Sequence, residues 1–101
     1  RWIRSNAARL GIDSGRIVAA GGSAGGHLAA ATATLPGLDE PAEDAKVSSR
    51  PNALILFNPA LVLAPLGGQT DERLRVLLDS DRCGIDPVKI SPCHHVRAVA
   101  P

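Results

Sequence analysis

Apolar residues recur at helical spacing at the start of the chain, with Trp2, Ile3, Ala7 and Leu10 on one side and Arg1, Arg4, Ser5, Ala8 and Arg9 on the other. This pattern predicts a helix from Arg1 to Leu10, closed by Gly11 where a left-handed residue is wanted. Asp13-Ser14-Gly15 reads as a turn and Arg16 to Ala20 as a short, largely apolar strand. A second helix is predicted from Ala24 to about Leu35; its alanines and glycines let neighbours approach closely, and Leu35-Pro36-Gly37 stops it. Ala53 to Phe57 is apolar without alternation, which predicts a strand buried on both faces, as in a parallel sheet.

Strand, helix and strand make one crossover, right-handed by the usual rule. It brings Ser23 and Asn58 to the same sheet edge, the edge where open α/β sheets bind ligands. The expected fold is therefore α/β, a partial α/β-hydrolase-type arrangement of strand, turn, helix and strand in a mostly parallel sheet. Between the elements, Pro36 to Pro51 carries the acidic pairs Asp39-Glu40 and Glu43-Asp44 and reads as a solvated surface loop. Pro59 to Gly68 is a loop, and Thr70 caps a predicted helix from Asp71 to about Asp79 whose stripe is Leu74, Leu77 and Leu78. Asp86-Pro87 is a further helix start, and Ser91-Pro92 a break.

Composition narrows the function. Eleven basic residues against ten acidic ones leave a net charge of +1, and the aromatics are Trp2 and Phe57 alone. Neither a basic stripe nor a stacking platform is present, which argues against nucleic acid as a partner. The longest apolar stretch, Ala53 to Leu66, is interrupted by Asn58, Pro59 and Pro65 and is too short to span a bilayer.

The chemistry concentrates in Gly21-Gly22-Ser23-Ala24-Gly25-Gly26, where Gly21, Ser23 and Gly25 fit G-x-S-x-G between a strand and a helix. A nucleophilic serine must stand clear of the sheet on a sharply bent backbone, and small neighbours allow that bend. Ser23 is the candidate nucleophile. The Ala24 N–H, at the start of the helix, is the candidate oxyanion donor. The competing reading makes Ser23 a simple helix cap. A P-loop needs Gly-Lys-Ser/Thr where this chain has Gly-His-Leu, and the dinucleotide spacing G-x-G-x-x-G is not met. Of the histidines, His27 lies one turn past Ser23 and is read as a packing residue. His94 and His95 follow no strand from which to reach back. Cys83, Cys93, His94 and His95 lack the paired spacing of a zinc site, so neither metal nor organic cofactor is expected.

Arg16-Ile17-Val18-Ala19-Ala20-Gly21-Gly22-Ser23-Ala24-Gly25-Gly26-His27-Leu28-Ala29, with Ala8 to Asp13 before it and Leu56-Phe57-Asn58-Pro59 and Ile90 to Val96 after it, resembles the α/β-hydrolases of the esterase/lipase group. The resemblance is to the acetyl esterase and feruloyl/acetyl-xylan esterase-like branch. It implies hydrolysis of short acyl esters of small alcohols or carbohydrates through an acyl-enzyme on Ser23, with Gly22 and Asn58 lining the site. In that family a His-Gly-Gly loop supplies a second oxyanion donor, a Gly-x-x-Asp loop the acid, and a later loop the histidine. Residues 1–101 hold no His-Gly-Gly loop and, after Ser91-Pro92 where the family carries its acid, no Gly-x-x-Asp loop, so the chain reads as the central part of a single hydrolase domain, with acid and base outside it. A peptidase with the same turn and a non-catalytic interaction module are the alternatives.

Overall fold

In the computed structural model, which describes residues 1–67, 72, 79, 81 and 84–96, the N-terminal helical run is broken in two. Helix α1 is Trp2–Ser5 and helix α2 is Ala7–Leu10. The break is Asn6, at φ −105° and ψ 14°. Its side-chain amide donates to the Trp2 carbonyl at 2.8 Å, competing for an acceptor that the helix would use. Gly11 closes α2 in the left-handed region at φ 68°, as the pattern predicts.

Strand β1, Val18–Gly22, starts later than expected and takes in both glycines. Arg16 is held in the preceding turn, where its N–H donates to the Asp13 carbonyl at 3.1 Å and its Nε to Asp13 Oδ2 at 2.8 Å. Ile17 is tied to Asn52 before the ladder begins: Ile17 N–H donates to Asn52 Oδ1 at 3.0 Å, and Asn52 N–H to the Ile17 carbonyl at 2.7 Å. Strand β2, Ala53–Phe57, then runs parallel to β1, from Val18 beside Ala53 to Gly22 beside Phe57. Helix α3, Ala24–Thr34, forms the crossover and ends at Leu35, which is extended ahead of Pro36.

The sheet is not buried on both faces. Exposure alternates along both strands, and α3 covers the face that carries Gly21. On the opposite face Val18 is 50%, Ile55 51% and Phe57 66% exposed, because among the described residues no second layer lies over them. Among the described residues the buried core is small: Ala7, Gly26, Ala29, Ala30, Leu63 and Ala64, with Ser91 and Pro92.

The acidic loop lies on the surface, as expected, but it is anchored. Arg1 Nη1 pairs with Asp39 Oδ1 at 2.8 Å and Glu43 Oε2 at 3.5 Å, and the Arg1 side chain is only 9% exposed. The Arg4 guanidinium donates to the carbonyls of Ser14, Ser48 and Arg50, fastening the far end of the loop to the N-terminal helices.

Asp86 caps as predicted, accepting from Val88 N–H at 2.9 Å, but it opens only a single 3₁₀ turn, Pro87–Ile90. Ser91-Pro92 opens a second 3₁₀ turn, Pro92–His94, where a break was expected. Proline at the first position of each turn gives up an N–H that would have had no partner there. The helix expected over Asp71–Asp79 lies outside the described residues except for Glu72 and Asp79, and Cys83 lies outside them entirely.

Candidate active site

Ser23 stands where β1 leaves the sheet. Its N–H adds one more rung to the ladder, donating to the Phe57 carbonyl at 3.0 Å. Its carbonyl accepts from His27 N–H at 3.0 Å and from Ala60 N–H at 3.2 Å. The residue sits at φ 51° and ψ −117°, a region that side chains avoid. Although Ser23 occupies the cap position of α3, its side chain makes no capping hydrogen bond, and the residue is exposed. The hydroxyl is therefore not used to terminate the helix, and the simple-cap reading loses its physical basis.

Two of the four glycines are required by space. A Cβ on Gly21 would come within 2.3 Å of the Gly25 carbonyl carbon and oxygen, and one on Gly26 within 2.8 Å of Pro59 Cβ. A Cβ on Gly25 would meet nothing within 4 Å. The crowding across the bend is thus one-sided: Gly21 must be bare because the helix passes over it. The Gly26 requirement comes from the chain beyond β2, which sequence spacing did not suggest.

Ala24 is the first residue of α3, so its N–H has no acceptor within the helix and lies at the positive end of the helix dipole. Gly22 directly precedes Ser23, and Asn58 follows the last residue of β2. Asn58 has φ 41°, and Ser23 and Asn58 are the non-glycine residues with positive φ among those described. Both sit at the C-terminal ends of paired strands, so the structure brings Gly22, Ser23, Ala24 and Asn58 to one sheet edge.

The histidines are engaged elsewhere. His27 Nε2 meets the Ile90 carbonyl at 2.8 Å, tying α3 to the first 3₁₀ turn. His94 bonds Ser91 and Pro65, and His95 Nε2 meets the Val88 carbonyl at 2.9 Å. Among the described residues no histidine side chain bonds Ser23, and Cys93 is a half-buried free thiol. The described residues also contain no group of three or more His, Cys, Asp or Glu placed to hold a metal ion, and no helix long and apolar enough to cross a membrane. The Ala60 contact with Ser23 was not legible in the sequence; its only signal was Asn58-Pro59 directly after an apolar strand.

The BD-FAE family model matches residues 1–59. Among solved structures, the chain is similar to esterase 2 of Thermogutta terrifontis in several forms. For the form phosphoramylated by tabun, identity is 49% and the TM-score 0.78, covering 99% of this chain and 34% of that one. For the propionate-bound form, described as a thermophilic esterase from a Planctomycetes species, identity is 52% and the TM-score 0.78, covering 100% and 36%. For the butyrate-bound form the values are 48% and 0.77, covering 99% and 37%. The chain therefore spans about a third of the length of these esterases. No curated protein sequence matches it.

Proposed function

This chain belongs to the BD-FAE family of esterase-associated α/β-hydrolase domains, and from that premise we propose that it carries the nucleophile of a carboxylic-ester hydrolase. The observation behind the proposal is the conformation of Ser23: strained backbone, exposed side chain and no capping bond. Strain of this kind costs on the order of 1–3 kcal/mol and is kept where it serves a reaction.

Ser23 Oγ attacks the ester carbonyl and its proton passes to a histidine outside residues 1–101. The oxyanion takes a hydrogen bond from Ala24 N–H, with a second donor also outside this chain. Collapse expels the alcohol, which receives the proton, and leaves an acyl group on Ser23. Water then adds to that acyl group, releasing the acid and restoring the hydroxyl. Gly22 and Asn58 flank the reacting carbon. Tabun is electrophilic at phosphorus, and its covalent adduct on the Thermogutta esterase supports a nucleophile in this fold. The propionate and butyrate complexes support a short acyl group here. Residues 1–101 alone, with every described imidazole engaged away from Ser23, are expected to turn over no ester.

The test is to treat the complete natural chain with a fluorophosphonate and with p-nitrophenyl propionate. A mass increase on the peptide holding Ser23 is expected. Ser23→Ala should lower kcat by about 10⁶-fold, the scale seen when a serine nucleophile is removed. Labelling elsewhere, or unchanged turnover by Ser23→Ala, overturns the assignment.

A further inference from the structure

The segment 84–96 holds the most buried polar side chain described. Ser91 is 0% exposed, and its hydroxyl is fully used. Ser91 Oγ accepts from Leu63 N–H at 2.9 Å and meets His94 Nδ1 at 2.8 Å, and the Leu61 carbonyl lies at 3.3 Å. His94 Nε2 reaches the Pro65 carbonyl at 3.1 Å, and Cys93 N–H donates to the Leu61 carbonyl at 3.1 Å.

With a neutral His94 ring these contacts assign the hydrogens one way. A carbonyl only accepts, so His94 Nε2 carries a hydrogen toward Pro65. In the neutral ring Nδ1 is then an acceptor, and it takes the single Ser91 hydroxyl hydrogen. The Leu61 carbonyl is served by Cys93 N–H and loses nothing. Ser91 and His94 thus hold Leu63 and Pro65, while the Cys93 N–H between them holds Leu61, and the buried Leu63–Ser91 bond is the one that is expensive to leave unmade.

What the clamp holds is the stretch that touches the elbow. Ala60 N–H donates to the Ser23 carbonyl, and Pro59 lies against Gly26 closely enough to forbid a Cβ there. We infer that Ser91 and His94 are positioning residues for Ser23, acting through the 59–65 loop rather than by touching substrate. The inference rests on Ser23 being the nucleophile. It adds that two residues far along the chain set the placement of the Ser23 hydroxyl.

The test compares Ser91→Ala, His94→Ala and His94→Gln in the complete natural chain. Gln keeps a donor for the Pro65 carbonyl. Nitrogen-15 spectra of the wild-type ring should show the hydrogen of His94 on Nε2. Both alanine variants should speed amide exchange at Leu63 and lower kcat on p-nitrophenyl propionate by up to about 10²-fold, the scale of a misplacement near 1 Å, with KM little changed. His94→Gln should recover most of kcat. If the alanine variants do not fold, Ser91→Cys, which keeps the volume and weakens the bonds, should show the same division between kcat and KM. Loss of Leu63 protection with unchanged kcat, or a His94 hydrogen on Nδ1 alone, overturns the inference while leaving Ser23 as nucleophile. A wild-type chain that neither hydrolyses the ester nor takes up fluorophosphonate overturns both.

Discussion

Ser23 keeps its φ of 51° because Phe57, His27 and Ala60 each hold one of its backbone groups in place. Three such bonds contribute roughly 0.5–1.5 kcal/mol apiece, comparable with the strain they offset. The glycines beside it separate into those that the turn needs and those it tolerates. Gly21→Ala drives a Cβ into the Gly25 carbonyl and should destabilise the complete chain by about 1–3 kcal/mol in urea denaturation, as overpacking does. Gly25→Ala finds open space in a helical position and should be neutral or stabilise by up to about 1 kcal/mol. Equal losses for the two would show that the crowding is not one-sided. At this scale the sequence was legible wherever the reason was local: G-x-S-x-G located Ser23, Ala24 and Gly21. The need for Gly26 was only partly legible, because besides the Gly21 carbonyl oxygen the nearest atom it avoids belongs to Pro59, beyond the second strand.

Among elements, strand β2 and helix α3 lie where the apolar patterns put them, since each is set by a continuous run between prolines or glycines. The N-terminal helix divided because periodicity counts faces and does not register an asparagine competing for a carbonyl. The anchored acidic loop was equally hidden, since its partner Arg1 is distant in sequence. That anchor titrates. The Arg1 hydrogen bond, and then that of Ser49, hold the Asp39 carboxyl below its ordinary value near 3.8, while the Arg1 guanidinium is raised chiefly by the same contact. A carboxyl lowered by folding stabilises the fold above its unfolded value, and that contribution disappears as pH falls through the lower folded value. Thermal midpoints of the complete chain should therefore fall as pH drops below about 4. Asp39→Asn should flatten part of that fall, and an unchanged slope would show that the loop is not held by this pair.

At the scale of the whole molecule, the sheet exposes Val18, Ile55 and Phe57 on a face that no other described residues cover, and among the described residues its strand edges are unpaired. A two-stranded parallel sheet with one helix over it falls short of an independently stable unit. Residues 1–101 expressed by themselves should associate or show poorly dispersed amide spectra, and a sharp monomeric spectrum would contradict this. The architecture also sets an order in time. Every strand pair has the same separation as Ile17 and Asn52 just before the ladder, 35 residues along the chain, so the ladder cannot close until that intervening length has been drawn in. The bend at Ser23 depends on the final rung, to Phe57, and on Ala60 just beyond it. During refolding of the complete chain, reactivity toward a fluorophosphonate should therefore lag behind recovery of helical circular dichroism. Ser23 would then be among the last features to reach its final conformation, and a half-folded chain would carry the serine without its bend.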